Sequence, residues 1–266
     1  MSALRPVWAV MRMELRRGVS WRSLWLFAMA FAPVVIITAH AIADHGHSLE
    51  NETLIINGIL QFYYVRCGIF FGCLGLFLRL VRGEIAERTL HYLFLAPVRR
   101  EALLVGKFLA GVVTTVLVFG TGVLASFLVM YGHFPEGRAF LAHGPALAHL
   151  RLDLLVVLLA CLGYGAVFLA FSLLFKNPVV PAVLLAFWEG VNGVLPAWLK
   201  HLSVTFYLKP LFPVELPITG VWSLFTVVAE PTPVWLAVSG LIAFTCVVVA
   251  LACRRMRRIE VSYSSD

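Results

Sequence analysis

Two charged residues lie inside apolar runs where a charge is costly: Arg66 within 54–80, and Glu189 within 179–199, the latter followed by Asn192. Uncompensated charge at the centre of a spanning helix costs at least ~2.5 to 3.5 kcal/mol on insertion scales, so each needs a partner or water. At 1.5 Å per residue Arg66 is about 18 Å from the outer end of its helix and Glu189 about 15 Å from the inner end of its own. Their depths match. The pattern predicts an Arg66–Glu189 ion pair locking two helices, or two charges that both face a path for solutes. Asn57 and Gln61 stand nearer the outer end of the Arg66 run, and Arg151 and Asp153 read as interfacial residues at the start of 152–175.

Other chemistries leave no mark. A phosphate-binding loop needs G-x-x-x-x-G-K-[ST], whose backbone N–H groups and Lys cradle phosphates while the hydroxyl holds Mg²⁺. Gly106-Lys107 is followed by Phe108 and no other stretch fits, so the chain carries no motif for ATP hydrolysis. H-E-x-x-H, G-x-S-x-G and a paired acidic motif are also missing, which argues against an intramembrane enzyme, and no catalytic residue is assigned. His40, His45 and His47 with Asp44, and His133, His143, His149 and His201, gather toward the outer face. Imidazoles suit transition metals or haem iron, but no spacing closes a site, and we assign no metal. The five cysteines, Cys67, Cys73, Cys161, Cys246 and Cys253, form no C-x-x-C pair and read as small packing residues.

The elements that position these residues follow from composition. The chain is 61% hydrophobic and 13% charged, with a mean hydropathy of +0.92, and a soluble domain could not cover that much apolar side chain with polar surface. The class is an all-α polytopic membrane protein, since a spanning segment must satisfy its own backbone and the alternation of a barrel is absent. Six runs are long and apolar enough to span: 24–43, 54–80, 103–130, 152–175, 179–199 and 234–252. No repeat or linker divides 1–266, which reads as one domain.

The net charge of +7 is unevenly spread. Arg5, Arg12, Arg16, Arg17 and Arg22 precede the first span, a second group flanks the connection between spans two and three, and Arg254, Arg255, Arg257 and Arg258 follow the last span. All fall on one side, which the positive-inside rule makes cytoplasmic, with both termini inside. In the leader, 1–23, Leu4, Trp8, Met11 and Leu15 recur at helical spacing against Arg5, Arg12 and Arg16, the pattern of a helix in the interface plane. Ala41-Ile42-Ala43 could serve as a signal-peptidase site, but a basic leader of that length and a full span fit a signal peptide poorly. Gly68, Gly72 and Gly75 offer a small face for close helix packing, with Gly120 and Gly122, and Gly163 and Gly165, as weaker cases. Residues 200–233 are apolar yet broken by Pro210, Pro213, Pro217, Pro231 and Pro233, and read as short, partly re-entrant outer helices, a seventh span over 216–229 being the alternative. Residues 253–266 form a cytoplasmic tail.

The densest charge mixture lies at 82–101. Glu84, Glu87 and Arg88 precede Thr89-Leu90, Leu93 continues an apolar flank, and Pro97 stops the helix before Arg99 and Arg100 open the next. The product is a short amphipathic helix on the cytoplasmic surface, able either to fill a groove on a soluble partner or simply to rest on lipid.

The run Glu87, Thr89, Leu90, Leu93, Pro97, Val98, Arg100, Leu103, Gly106 and Lys107 resembles the loop after the second span in permeases of the ABC type-2 exporter family: an acidic residue, Thr-Leu, further leucines, Pro-Val or Pro-Ile, an Arg, then Gly-Lys. Arg88 stands where the family commonly has a small residue. The leader, six spans and short helices before the last span resemble the same family over nearly the whole chain. The resemblance implies a homodimeric permease in the plasma membrane, here a bacterial cytoplasmic membrane, paired with a separate cytoplasmic ATPase that holds ATP and Mg²⁺. Its coupling helix would contact that ATPase through Glu84, Glu87, Arg88, Thr89, Leu90, Leu93, Pro97, Arg99 and Arg100. The expected partners are that ATPase, a second copy and lipid, not nucleic acid, and the cargo is not indicated. The alternative is an ATP-independent secondary transporter that uses Arg66 and Glu189 for ion or proton coupling.

Overall fold

The computed structural model describes residues 4–18, 23–43, 48–83, 99–190, 197–214 and 233–258. Among them every regular element is helical: α1 (Leu4–Gly18), α2 (Leu24–Ile42), α3 (Leu49–Gly83), α4 (Arg100–Gly132), α5 (Pro135–His143), α6 (Ala146–Leu174), α7 (Val179–Gly190), α8 (Ala197–Lys200), α9 (Val204–Leu208) and α10 (Val234–Arg257).

Five of these, α2, α3, α4, α6 and α10, are long and apolar enough to cross a membrane. The expected run 179–199 yields only the 12-residue α7, and residues 191–196, with Asn192, lie outside the described residues. The long helices overrun the apolar windows read from sequence because polar residues start and end them. Ser48 accepts a hydrogen bond from the Asn51 amide at 3.3 Å, with Glu50 and Glu52 in the first turn, so α3 begins well before its apolar stretch. At the other extreme, α10 runs on through Arg254 and Arg255, cations placed at a helix C-terminus. Helix α5 was not anticipated; Pro135 and Glu136 in its first turn are the signals that mark it.

Helix α3 is not uniformly wound. Residues Ile59–Ile69 and Arg79–Gly83 are π-helical, and Leu49–Gly58 and Phe70–Leu78 are α-helical. A π-helical run of that length is rare.

At the centre stands α6, packed against α10, α4 and α3, while α4 also carries α1 and α2. The core is aromatic: the Phe70 ring meets Tyr164 and Phe168 edge-on at centroid distances of 5.2 and 5.0 Å. Gly72 and Gly75 make room for rings rather than for a helix backbone, since a Cβ would fall 2.5 Å from Phe119 and 2.5 Å from Trp25. The close backbone approaches lie elsewhere. A Cβ on Gly122 would stand 2.4 Å from the Ala30 carbonyl oxygen of α2, and one on Gly106 would stand 2.9 Å from the Val7 carbonyl oxygen of α1.

Residues 4–18 form α1, which packs on α4 through a face other than the one the spacing picked out. Val10 and Glu14 are buried, while Trp8 is 63% exposed along with Arg5, Arg12 and Arg16. The short helix α9 falls in the proline-broken stretch and packs on α6 and α10, α8 lies at the end of the expected run 179–199, and residues 215–232 are outside the described set.

Candidate functional site

The start of α4, where the charged connection enters it, meets α1 and the end of α10. Glu84, Glu87, Arg88, Thr89, Leu90, Leu93 and Pro97 lie outside the described residues. Arg99 and Arg100 are exposed at the start of α4. There the Arg100 guanidinium donates to the Arg257 carbonyl oxygen at 3.4 Å, and the Arg257 Nε donates to the Glu101 carboxylate, joining α4 to the end of α10.

Two turns further along α4, Lys107 Nζ donates to Glu14 Oε1 at 2.6 Å. The side chains are 1% and 7% exposed, so this is a charge-assisted bond removed from water. The adjoining Gly106 lets α1 come close enough for Glu14 to reach. Sequence reasoning had placed Gly106 and Lys107 in a motif without giving the lysine a partner. A signal was present, because Glu14 is the only acid among the first 23 residues.

At mid-helix the predicted Arg66–Glu189 pair is not formed. Glu189, 5% exposed, accepts from the Ser203 hydroxyl at 2.7 Å, the Val204 amide at 2.8 Å and the Thr205 amide at 3.1 Å. Its carboxylate thus closes the start of α9, whose first amides have no carbonyl to bond within the helix. Ser203 adds its own cap, accepting from the Phe206 amide, and Thr205 Oγ1 bonds the buried Tyr164 hydroxyl at 3.2 Å. Arg66 is exposed on α3, its guanidinium 5.3 Å from the centre of the Phe62 ring.

A third polar group lies where α2 ends and α3 begins. His40 Nε2 and Glu52 Oε1 are 3.1 Å apart, the Tyr131 hydroxyl reaches Thr53 Oγ1 at 3.2 Å, and Tyr64 Oη contacts both the Ala30 carbonyl at 2.8 Å and Ser126 Oγ at 2.9 Å. Asp153 belongs here and is not interfacial: it is 5% exposed and its Oδ1 has no hydrogen-bond partner. It borders a small pocket shared with Ile56, Tyr64 and Ser126, with room for about one water molecule to bond that oxygen. Arg151 is exposed, as expected. Among the described residues, no three His, Cys, Asp or Glu side chains gather as metal ligands.

Among the described residues, the arrangement joins helices at the start of α4, leaves Arg66 exposed midway along α3 and holds no nucleophile paired with a base. Residues 15–192 match a family model described as "ABC-2 family transporter protein". No curated protein matches the chain.

Proposed function

The chain belongs to the ABC-2 family of transporter membrane proteins, and from that premise we propose that it is the permease subunit of an ATP-driven exporter, acting as a homodimer with a separate cytoplasmic ATPase. The observation that carries this reading is the family match itself, which runs from the end of α1 through α7 and takes in the charged connection 82–101. The absence of a phosphate-binding loop agrees with an engine on another chain, where ATP and Mg²⁺ would bind.

In this reading the ATPase grips 82–101, and its closure pushes on α4 at Arg100. The push spreads because α4 does not move alone: Lys107 holds α1 through Glu14, and Glu101 holds α10 through Arg257. Rigid helices linked by such contacts convert a local displacement into a shift of the bundle. Both termini lie on the ATPase side, in a bacterial cytoplasmic membrane. The secondary-transport alternative loses support, because Glu189 is engaged by three donors of α9 and is poorly placed to exchange an ion or proton with Arg66.

The test is affinity purification of the intact chain from its native membrane in mild detergent, beside a variant with Arg88, Leu93 and Arg100 all changed to alanine. The expected result is a stoichiometric ATPase with the native chain and its loss from a folded variant. A folded native chain that brings down no ATPase overturns the proposal.

A further inference from the structure

Arg66 is the central residue of the 35-residue α3. Among the described residues it forms no ion pair, and Glu189, the acid that sequence spacing assigned to it, is spent on α9. Guanidinium does not give up its proton. With hydrocarbon about 30 Å thick, a mid-span residue lies roughly 15 Å from either headgroup layer, beyond the reach of a side chain that snorkels. Acyl chains cannot solvate that charge. In the assembled transporter, this face of α3 must therefore border water or an anion.

The winding of α3 indicates what shares the face. Phe62 and Phe71 are nine residues apart, and α-helical geometry would set them on opposite sides. The wider π-helical turn over Ile59–Ile69 brings positions four, five and nine residues after Phe62 into one stripe. Phe62 is 58% exposed and Phe71 47%, with Arg66 and Cys67 exposed between them. One fixed cation flanked by two open aromatic rings complements a molecule with an anionic head and an apolar body.

Taking the permease reading as its premise, we infer that this stripe of α3 binds an anionic amphiphilic cargo. The planar Arg66 fork takes phosphate or carboxylate oxygens in bidentate fashion, and Phe62 and Phe71 pack on the hydrocarbon. Phe62, already beneath the guanidinium, holds the fork in place.

The experiment uses the chain with its co-purified ATPase in phosphatidylcholine nanodiscs, and measures equilibrium binding of radiolabelled dodecyl phosphate with competition by unlabelled compounds. Dodecyl phosphate should compete at least about tenfold better than dodecyl glucoside or dodecyltrimethylammonium, in line with one charge-assisted pair. Inorganic phosphate should compete far more weakly. Arg66→Ala should abolish the preference for the anion, Arg66→Lys should keep part of it, and Phe71→Ala should weaken every dodecyl compound alike. Equal competition by the three dodecyl compounds on the native complex overturns the inference while leaving the attached ATPase, and hence the permease reading, in place. Competition by inorganic phosphate equal to that of dodecyl phosphate overturns the amphiphile. A native complex without anion preference whose Arg66→Ala form falls to monomers would instead make Arg66 a contact between copies.

Discussion

Charge is handled in opposite ways at the two levels of this bundle. Near the start of α4, acids and bases on different helices meet one another: Glu14 with Lys107, and Glu101 with Arg257. Elsewhere the acid Glu189, at the end of α7, serves backbone amides of α9, and the base Arg66, midway along α3, is exposed over a ring. The first arrangement fastens helices into a unit that moves together. The second leaves a cation with no ion pair among the described residues, and under the proposed function force transmission would belong to one end and recognition to the middle.

The largest test of that contrast is Lys107→Ala. Leaving the Glu14 carboxylate buried and alone should destabilise the chain by about 3–5 kcal/mol, read as thermal unfolding in detergent. The double change Glu14→Leu with Lys107→Met should recover most of that loss, since a well-packed apolar pair can replace a buried ion pair. If the single variant melts like the native chain, the junction is not fastened as described.

Glu189→Ala comes next. It strips an acceptor from one hydroxyl and two amides, and a loss of roughly 2–4 kcal/mol is expected from donors left unsatisfied. Glu189→Gln should restore part of it because one carbonyl oxygen remains. A Gln variant as unstable as the Ala variant would mean that the charge, and not only the accepting oxygens, holds α9.

Gly122→Val probes the contact between α2 and α4 without touching a charge. With the Ala30 carbonyl 2.4 Å from the new Cβ position, overpacking should cost about 1–3 kcal/mol. Smallest of all is Arg66→Gln, which should shift the unfolding temperature little, because no ion pair is broken. A loss as large as that of Lys107→Ala would erase the distinction between the two levels.

Much of the fold was legible because helix length and apolarity are written in consecutive residues. The runs 24–43, 103–130 and 234–252 reappear as α2, α4 and α10, and the basic leader as α1. What escaped was written across long gaps or in no side chain at all. Glu14 and Lys107 are 93 residues apart, and the one signal, that Glu14 is the only acid among the first 23 residues, does not name its partner. The partners of Glu189 include two backbone amides, which every non-proline residue carries, so residue types could suggest only Arg66. The glycines misled for a related reason: Gly72 and Gly75 have the spacing of a packing face, yet what they accommodate is set by Phe119 and Trp25 on other helices. The π-helical turns had no signal either, and without them Phe62 and Phe71 do not share a side.

The two ion pairs near the start of α4 also differ in how the surrounding electrolyte reaches them. Dissolved ions weaken attraction between charges in open water within about 10 Å at 0.1 M, and hardly touch a pair shut off from water. Arg257 and Glu101 are 64% and 34% exposed, against 1% and 7% for Lys107 and Glu14. Raising ionic strength therefore slackens the tie to α10 while the tie to α1 keeps its grip, so that the leader helix follows α4 in any buffer and the last helix follows it most closely in a dilute one.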